Sequence, residues 1–155
     1  MKVETILPGG TVAEIEVSYS SKFKISELPT ITDAKSAYKI FLEQWDKSKL
    51  GFIEQFKVLF LNRGNRVLGI STLSTGGMTG TILDARVLFA AALKCNACGI
   101  IIAHNHPSGR LWPSDSDKIF TRRIRDAGKL LDIRLIDHLI VTAEGFYSFT
   151  DEGAL

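Results

Sequence analysis

The stretch "CGIIIAH", residues 98–104, decides the fold of this chain. Its side chains are apolar at successive positions, whereas a strand with one face in water alternates between apolar and polar residues. Such a run is typical of a central strand that helices cover on both faces. Helical patterns at residues 84–95 and 114–131 supply candidates for that cover. The sequence therefore predicts a single α/β domain of three layers, in which a mixed sheet lies between helices.

The rest of the chain supplies further elements of such a domain. A helix begins at Thr32 or Asp33 and runs to residue 47, with apolar side chains at helical spacing. Residues 54–73 are typical of two strands joined by a turn at Asn62–Asn65. A helix joins the second of these strands to residues 98–103, which predicts that the two strands are parallel. We expect other strands at residues 11–19, 134–142 and 145–150, and we divide the chain into an N-terminal strand and loop, residues 1–31, and a compact domain, residues 32–155.

The charge balance argues against a dedicated nucleic-acid-binding protein. The 155 residues carry 19 basic and 17 acidic side chains, a net charge of +2. The densest basic run, residues 121–129, would spread its side chains around a helix instead of forming one basic face. No apolar run approaches the roughly 20 residues that cross a membrane, and the N-terminus is too polar for a signal peptide. We therefore expect a cytoplasmic protein with no membrane partner.

Two cysteines form the pair Cys95-x-x-Cys98. Such a pair is compatible with a redox site or with half of a zinc site. A zinc site made of cysteines needs a second pair, and the chain contains none. A redox pair of the thioredoxin type opens a helix, whereas this pair closes a helical pattern. We interpret the two cysteines as small residues at the junction between a helix and a strand.

Two histidines follow the central strand in "AHNHPSG", residues 103–109. His104 and His106 are two positions apart, so on an extended chain their imidazoles point to the same side and can reach one metal ion. They lie at the carboxyl end of the strand, where open α/β sheets commonly bind ligands. Pro107 and Gly109 then turn the chain. A hydrogen-bonded pair without a metal, or a polar turn without chemistry, is compatible with the same letters.

The next segment supplies a carboxylate for these histidines. Asp117 lies in the first turn of the following helix, and a loop that returns this helix to the strand end would place it beside both imidazoles. Two histidines and one carboxylate form a known catalytic zinc set that leaves a fourth position for water. Ser114-x-x-Asp117 also resembles a capping box. The two roles are compatible, because a capping interaction would hold the carboxylate in place.

The full pattern, His104-x-His106, seven residues, Ser114, two residues, Asp117, resembles the JAMM motif of zinc metalloproteases, also called MPN+ or JAB. "HNHPSG" and "PSDSD", together with "DHLIV" (137–141) and "YSFTDEG" (147–153), are more similar still to the bacterial RadC branch of that superfamily. The resemblance runs from about Thr32 to the C-terminus. It implies the JAB/MPN architecture, which is similar to that of cytidine deaminases, and one zinc ion per chain, bound by His104, His106 and Asp117.

The resemblance also implies roles for residues around the metal. It requires an upstream glutamate at the entry to a core strand, and Glu54 fits that position better than Glu43 or Glu27. Glu54 would be the general base, and the Ser114 hydroxyl would donate a hydrogen bond to the developing oxyanion. The implied reaction is hydrolysis of an amide or isopeptide bond in a peptide or protein substrate. Near the site, Asp137 is a candidate to orient a ligating imidazole or to bond the backbone at a strand kink, and His138 is interpreted as a buried core histidine.

Other functions fit the sequence less well. The letters "HNH" do not make an HNH nuclease, whose residues are not contiguous, and a zinc deaminase needs H-x-E followed downstream by P-C-x-x-C. The alternative that stays open is a RadC-like accessory protein of DNA repair or of a mobile element, whose metal site serves binding instead of turnover. Longer members carry an N-terminal helix-hairpin-helix segment, which we expect this chain to lack. The Gly-rich stretch 75–81 is interpreted as a flexible connection or as the border of a groove for an extended peptide, and Trp112 as a substrate contact or as a residue that packs its loop.

Overall fold

The computed structural model describes residues 4–7, 10–76 and 83–155. The elements follow the chain in the order β1 (Glu4–Leu7), β2 (Gly10–Ala13), α1 (Ala34–Gln44), α2 (Lys47–Leu50), β3 (Gln55–Leu61), β4 (Val67–Thr75), α3 (Ala85–Lys94), β5 (Gly99–Asn105), α4 (Asp115–Leu130), β6 (Arg134–Val141) and β7 (Phe146–Ser148). A short 3-10 helix, Ile25–Glu27, precedes α1. β1 and β2 form a separate antiparallel pair.

The main sheet has five strands in the order β4-β3-β5-β6-β7. β5 and β6 are parallel, and every other neighbouring pair is antiparallel. Because β4 and β5 are both antiparallel to β3, they run in the same direction, as the sequence predicts, although β3 lies between them. The prediction of a mixed sheet in a three-layer α/β domain is confirmed.

β5 divides the core into two layers. Ile100 and Ile102 face the layer that contains Leu88 of α3 and Ile124 of α4. Ile101 and Ala103 face the opposite layer, which contains Phe41 of α1 and Leu139 of β6. All seven residues of β5 are buried. Burial on both faces explains why this strand lacks the alternation of a half-exposed one. Each buried aliphatic side chain contributes about 1.5–3 kcal/mol to the free energy of folding, so apolar residues are favoured at every position.

Local signals fix the ends of several elements. Asp33 caps α1 by accepting a hydrogen bond from the Ser36 N–H at 2.7 Å. The predicted hairpin turn is present between β3 and β4, where the Asn62 side chain accepts hydrogen bonds from the N–H groups of Gly64 and Arg66 at 2.9 and 3.0 Å. Asn65 adopts a φ of 58°, a conformation that asparagine tolerates better than most residues.

The N-terminal strand is shorter than predicted. The expected strand at residues 11–19 is present only as Gly10–Ala13, and residues 14–20 have no strand structure. Ile15 and Val17 are exposed, so the alternating pattern that predicts a strand has no apolar layer to pack against. Alternation alone is therefore insufficient where no neighbouring strand or core is available.

The last long helix passes through Gly128 without ending there and continues to Leu130. Gly128 is required by packing, because a Cβ atom at this position would lie 2.2 Å from the carbonyl oxygen of Ile133. The Gly-rich stretch 75–81 lies mostly outside the described residues. Among the described helices, none is long and apolar enough to span a bilayer.

Candidate metal centre

Three side chains converge above the carboxyl end of β5. His104 and Asn105 are the last two residues of β5, and His106 directly follows the strand. Asp117 lies in the first turn of α4. The two imidazole Nε2 atoms are 2.9 Å apart. Asp117 Oδ1 lies 3.3 Å from Nε2 of His104, and Oδ2 lies 3.5 Å from Nε2 of His106. One potential ligand atom from each of the three residues lies within 4.8 Å of the others.

A capping box places the Asp117 carboxylate in this group. The Ser114 hydroxyl accepts a hydrogen bond from the Asp117 N–H at 3.0 Å, and Asp117 Oδ2 accepts one from the Ser114 N–H at 2.8 Å. Burial by itself would raise the pKa of Asp117, but the two adjacent imidazoles and the hydrogen bond from the Ser114 N–H hold that pKa well below its usual range. Asp117 is therefore a fixed carboxylate, as a metal ligand must be.

The turn after β5 orients the second imidazole. Nδ1 of His106 lies 2.6 Å from the carbonyl oxygen of Arg110. A carbonyl can only accept a hydrogen bond, so Nδ1 carries a proton, and in the neutral ring Nε2 presents its lone pair to the site. Gly109 closes the turn with a φ of 81° and donates its N–H to the His106 carbonyl at 2.9 Å.

The donor set fits zinc. The His106 lone pair and the Asp117 carboxylate are electron-pair donors aimed at the same point as the His104 imidazole, so a cation between them is favoured electrostatically. Two imidazole nitrogens and one carboxylate oxygen suit zinc, whereas magnesium prefers oxygen ligands throughout. His104, His106 and Asp117 are thus the residues that would hold the ion.

Glu54 lies at the same end of the sheet as the three candidate ligands. It directly precedes β3, and the antiparallel register that pairs Phe56 with His104 brings the start of β3 beside the end of β5. Glu54 lines one cavity of about 580 Å³ together with His106, Ser114 and Asp117. Burial raises the pKa of Glu54, the charges of the imidazoles lower it, and the net shift is upward. A carboxylate with a raised pKa is a better proton acceptor.

Asn105, between the two histidines, positions Glu54. Because side chains alternate along a strand, Asn105 faces away from the imidazoles. Its amide donates to the carbonyls of Leu50 and Ile53 at 2.7 and 2.9 Å, and its Oδ1 accepts from the Gln55 N–H at 2.7 Å. Asn105 thereby binds the backbone on both sides of Glu54. Sequence reasoning missed this role, and the only available signal was the alternation that points Asn105 to the opposite face.

The Ser114 hydroxyl borders the same cavity. Its oxygen accepts the helix N–H described above and lies 2.8 Å from Oγ of Ser116. A hydroxyl that caps through a lone pair keeps its proton for donation. Capping and oxyanion stabilisation are therefore compatible at Ser114.

Asp137 lies on β6 but does not face the imidazoles. Its carboxylate accepts hydrogen bonds from the N–H groups of His138 and Thr150 and from the Ser148 hydroxyl. Because residues alternate along a strand, the side chains of Asp137 and His138 take opposite faces. Of the two interpretations of Asp137, the structure shows the one in which the carboxylate binds backbone groups. No contact with a ligating imidazole occurs among the described residues.

The imidazole of the neighbouring residue, His138, does reach the site. Nε2 of His138 lies 2.7 Å from Nδ1 of His104, and the ring is fully buried. The parallel register pairs His138 with Ile102, two residues before His104 and on the same face of the sheet. The sequence alone does not reveal this contact, since it depends on the register between β5 and β6.

Comparisons with known proteins add a family and several relatives. A family model described as "RadC-like JAB domain" matches residues 31–154. A UPF0758 protein of Flavobacterium johnsoniae is 43% identical over 145 residues, which cover 92% of this chain and 61% of that protein. A UPF0758 protein of Thermotoga maritima is 40% identical over 102 residues, 66% of this chain and 46% of that protein. The UPF0758 protein YfjY of Escherichia coli is 42% identical over 113 residues, 72% of this chain and 71% of YfjY. The chain thus spans less than two thirds of the length of the relatives from Flavobacterium and Thermotoga, 61% and 46% respectively.

Proposed function

The chain belongs to the family of RadC-like JAB domain proteins, and we propose that it is a zinc-dependent hydrolase of JAMM type that cleaves an amide or isopeptide bond in a peptide or protein. Its mixed sheet and flanking helices agree with the JAB/MPN fold. The observation that carries the proposal is the convergence of His104, His106 and Asp117, the last two of which line one cavity with Glu54. A metal site that serves binding alone has no need of a half-buried carboxylate next to its ligands.

Each of the chain's own groups has a role in this reaction. A zinc ion held by the three ligands would supply Lewis acidity and make water acidic enough to react at neutral pH. The Glu54 carboxylate accepts a proton from the attacking water and returns it to the leaving amine. The Ser114 hydroxyl donates a hydrogen bond to the carbonyl oxygen of the scissile bond as negative charge develops there.

The size of the cavity and its lining support an extended substrate. Beyond the catalytic groups it is lined by Arg110, Trp112 and Phe120. Trp112 is 72% exposed, so its ring is free to contact a substrate side chain. A second cavity of about 700 Å³ lies on the other side of the turn and shares His106 and Ser108 with the first. Space on both sides of His106 suits a substrate chain that passes the site.

The test uses Glu54→Gln, which keeps the shape of the side chain but cannot accept a proton. The variant should bind one zinc per chain and lose hydrolysis by about 10²–10⁴-fold or more. Glu43→Gln is the matched control, because Glu43 is an exposed glutamate of α1 and should leave activity unchanged. Cleavage is measured on libraries of fluorogenic peptides and of isopeptide-linked conjugates. If the zinc-loaded wild type cleaves no substrate in either library, a metal-binding protein without turnover replaces this proposal.

A further inference from the structure

We propose that His138 and Thr121 form a hydrogen-bonded relay that fixes the tautomer of His104, so that the Nε2 atom of His104 is free to bind the metal. The inference rests on the metal site of the proposed function and assigns a positioning role to two residues outside the ligand set. The relay has four members and runs from β5 through β6 to α4: His104, His138, Thr121 and the main-chain carbonyl of Asp117.

Three short contacts define the relay. Nδ1 of His104 lies 2.7 Å from Nε2 of His138. Nδ1 of His138 lies 2.6 Å from Oγ1 of Thr121. The Thr121 hydroxyl in turn donates to the carbonyl oxygen of Asp117, four residues earlier in α4, at 2.6 Å. These distances are those of hydrogen bonds with good geometry.

The end of the relay determines where each proton lies. The Asp117 carbonyl can only accept, so the Thr121 hydroxyl donates to it and its oxygen must accept from Nδ1–H of His138. A neutral His138 then has its lone pair on Nε2, which accepts from Nδ1–H of His104. The remaining nitrogen of His104, Nε2, carries no proton, and this is the atom that faces His106 and Asp117.

The surroundings favour the neutral relay. His104, His138 and Thr121 are at most 1% exposed, so solvent does not compete for these bonds. The His138 ring stacks on Phe149 with a centroid distance of 4.7 Å and an interplanar angle of 7°, and it also contacts Phe56 and Phe120. A charged imidazolium among these aromatic rings would be a buried ion, and no carboxylate among the described residues hydrogen-bonds to it. Packing thus fixes the ring while the hydrogen bonds fix its protons.

The relay also joins two ligands. It begins on the side chain of His104 and ends on the main chain of Asp117, so a displacement of α4 relative to β5 would stretch it. Ligating histidines commonly donate their second N–H to a carboxylate or a backbone carbonyl. Here a buried imidazole and a hydroxyl carry that hydrogen bond across the sheet to a carbonyl that belongs to another ligand.

The test compares Thr121→Val, which removes the hydroxyl at nearly constant shape, with Thr121→Ser, which keeps it. Zinc affinity is measured by competition with a chromophoric chelator. Thr121→Val should lose about 10–100-fold in affinity, as expected for loss of an outer partner of a ligand. Thr121→Ser should restore most of it. Equal affinities of the valine variant and the wild type would overturn the proposal.

Imidazole ¹⁵N NMR gives a readout that needs neither zinc nor a substrate. The chain has three histidines, so their tautomers are resolved one by one in metal-free protein. We expect the proton on Nδ1 of both His104 and His138, and loss of this single tautomer in Thr121→Val. A wild-type His104 protonated on Nε2 refutes the relay even where the valine variant fails to fold. Absence of zinc binding by the wild type, with the tautomers as expected, would instead refute the proposed function.

Discussion

The two ends of β5 each carry a pair of residues of types that can bind metal ions, and among the described residues only one pair is joined by a third potential ligand. At the carboxyl end, His104 and His106 meet Asp117. At the amino end, Cys95 caps α3 and Cys98 directly precedes the strand, and both are free thiols. Cys95 lies 3.5 Å from the carbonyl of Ala92, within its own helix. The spacing within each pair is similarly short, so spacing does not account for the difference.

The ends differ in what a second element brings to them. The N-terminus of α4 delivers a carboxylate to the histidines, and Glu54 adds another acidic group beside them. Cys98 instead borders a cavity lined by Arg63, Arg134 and one carboxylate, Asp132. Among the described residues, no carboxylate joins the two cysteines in a cluster of potential metal ligands. Burial also raises the pKa of Cys95, which opposes the thiolate that a metal requires. The two ends thus differ in that α4 brings a carboxylate close to both histidines, whereas no such carboxylate lies beside both cysteines among the described residues.

The largest effect expected from this comparison is that of His106→Ala. Removal of one of three ligands should weaken zinc binding by more than the roughly 10–100-fold that loss of an outer partner costs. Hydrolysis should be lost with the metal. Cys98→Ala is the matched control at the other end of the strand and should leave zinc affinity unchanged. If the cysteine variant loses zinc and the histidine variant keeps it, the metal lies at the amino end of β5.

Ser114→Ala tests the contribution of α4 and should have a smaller effect. Loss of the cap should lower the free energy of unfolding by about 1 kcal/mol. Loss of the oxyanion donor should lower kcat by about 10²–10³-fold. Ser114→Thr keeps the hydroxyl and should preserve both quantities within a small margin. Chemical denaturation and steady-state kinetics measure them separately. A variant that loses stability but retains full kcat would leave Ser114 with the capping role alone.

The smallest effect expected is a difference in pH dependence between metal-free and zinc-loaded protein. Burial by itself lowers the pKa of His106, but hydrogen bonds to Asp117 and to the Arg110 carbonyl outweigh it and raise the pKa. The resulting stabilisation is complete below the unfolded pKa of about 6.5 and is lost as pH rises through the higher folded value. The melting temperature of metal-free wild type should therefore fall more, or rise less, between pH 6 and pH 8 than that of His106→Gln, because the buried His138, whose lowered pKa acts in the opposite direction, is present in both.

Zinc should reverse the contribution of His106 to the pH dependence of the melting temperature, because zinc binds the unprotonated imidazole and its affinity rises with pH. Thermal melts from pH 6 to pH 8, with and without zinc, measure the slope of melting temperature against pH in both states. In His106→Gln the two slopes should be nearly alike. The same slope with and without the metal would contradict a zinc site that includes His106.

Much of the fold could be predicted because its signals are local. The unbroken apolar run at residues 98–103 indicates a strand buried on both faces, and Asp33 and Ser114 mark the starts of their helices. The same reasoning predicted the three residues that the structure brings together, His104, His106 and Asp117, because two histidines two apart and a capped aspartate are local patterns. It failed for residues 14–20, where the pattern of a strand is present but no partner strand pairs with it.

The remaining features of the site depend on register, which local patterns do not contain. His138 reaches His104 only because β6 pairs with β5 in one particular register, and a shift by one residue would turn its ring to the opposite face. The same holds for Asn105, whose contacts with Ile53 and Gln55 require the observed pairing of β3 with β5. The sequence left Asp137 as a candidate partner of the imidazoles. Because side chains alternate along β6, the neighbouring residue His138 contacts His104 instead.

X-ray absorption at the zinc edge, on protein loaded with one equivalent of zinc, tests most directly whether His104, His106 and Asp117 bind the ion, because it identifies the ligand atoms. We predict a first shell of nitrogen and oxygen atoms at about 2.0–2.1 Å, with the multiple scattering of two imidazoles and no sulfur. A sulfur shell at about 2.3 Å would assign the ion to Cys95 and Cys98 and contradict this prediction. So would protein that retains no stoichiometric zinc at neutral pH.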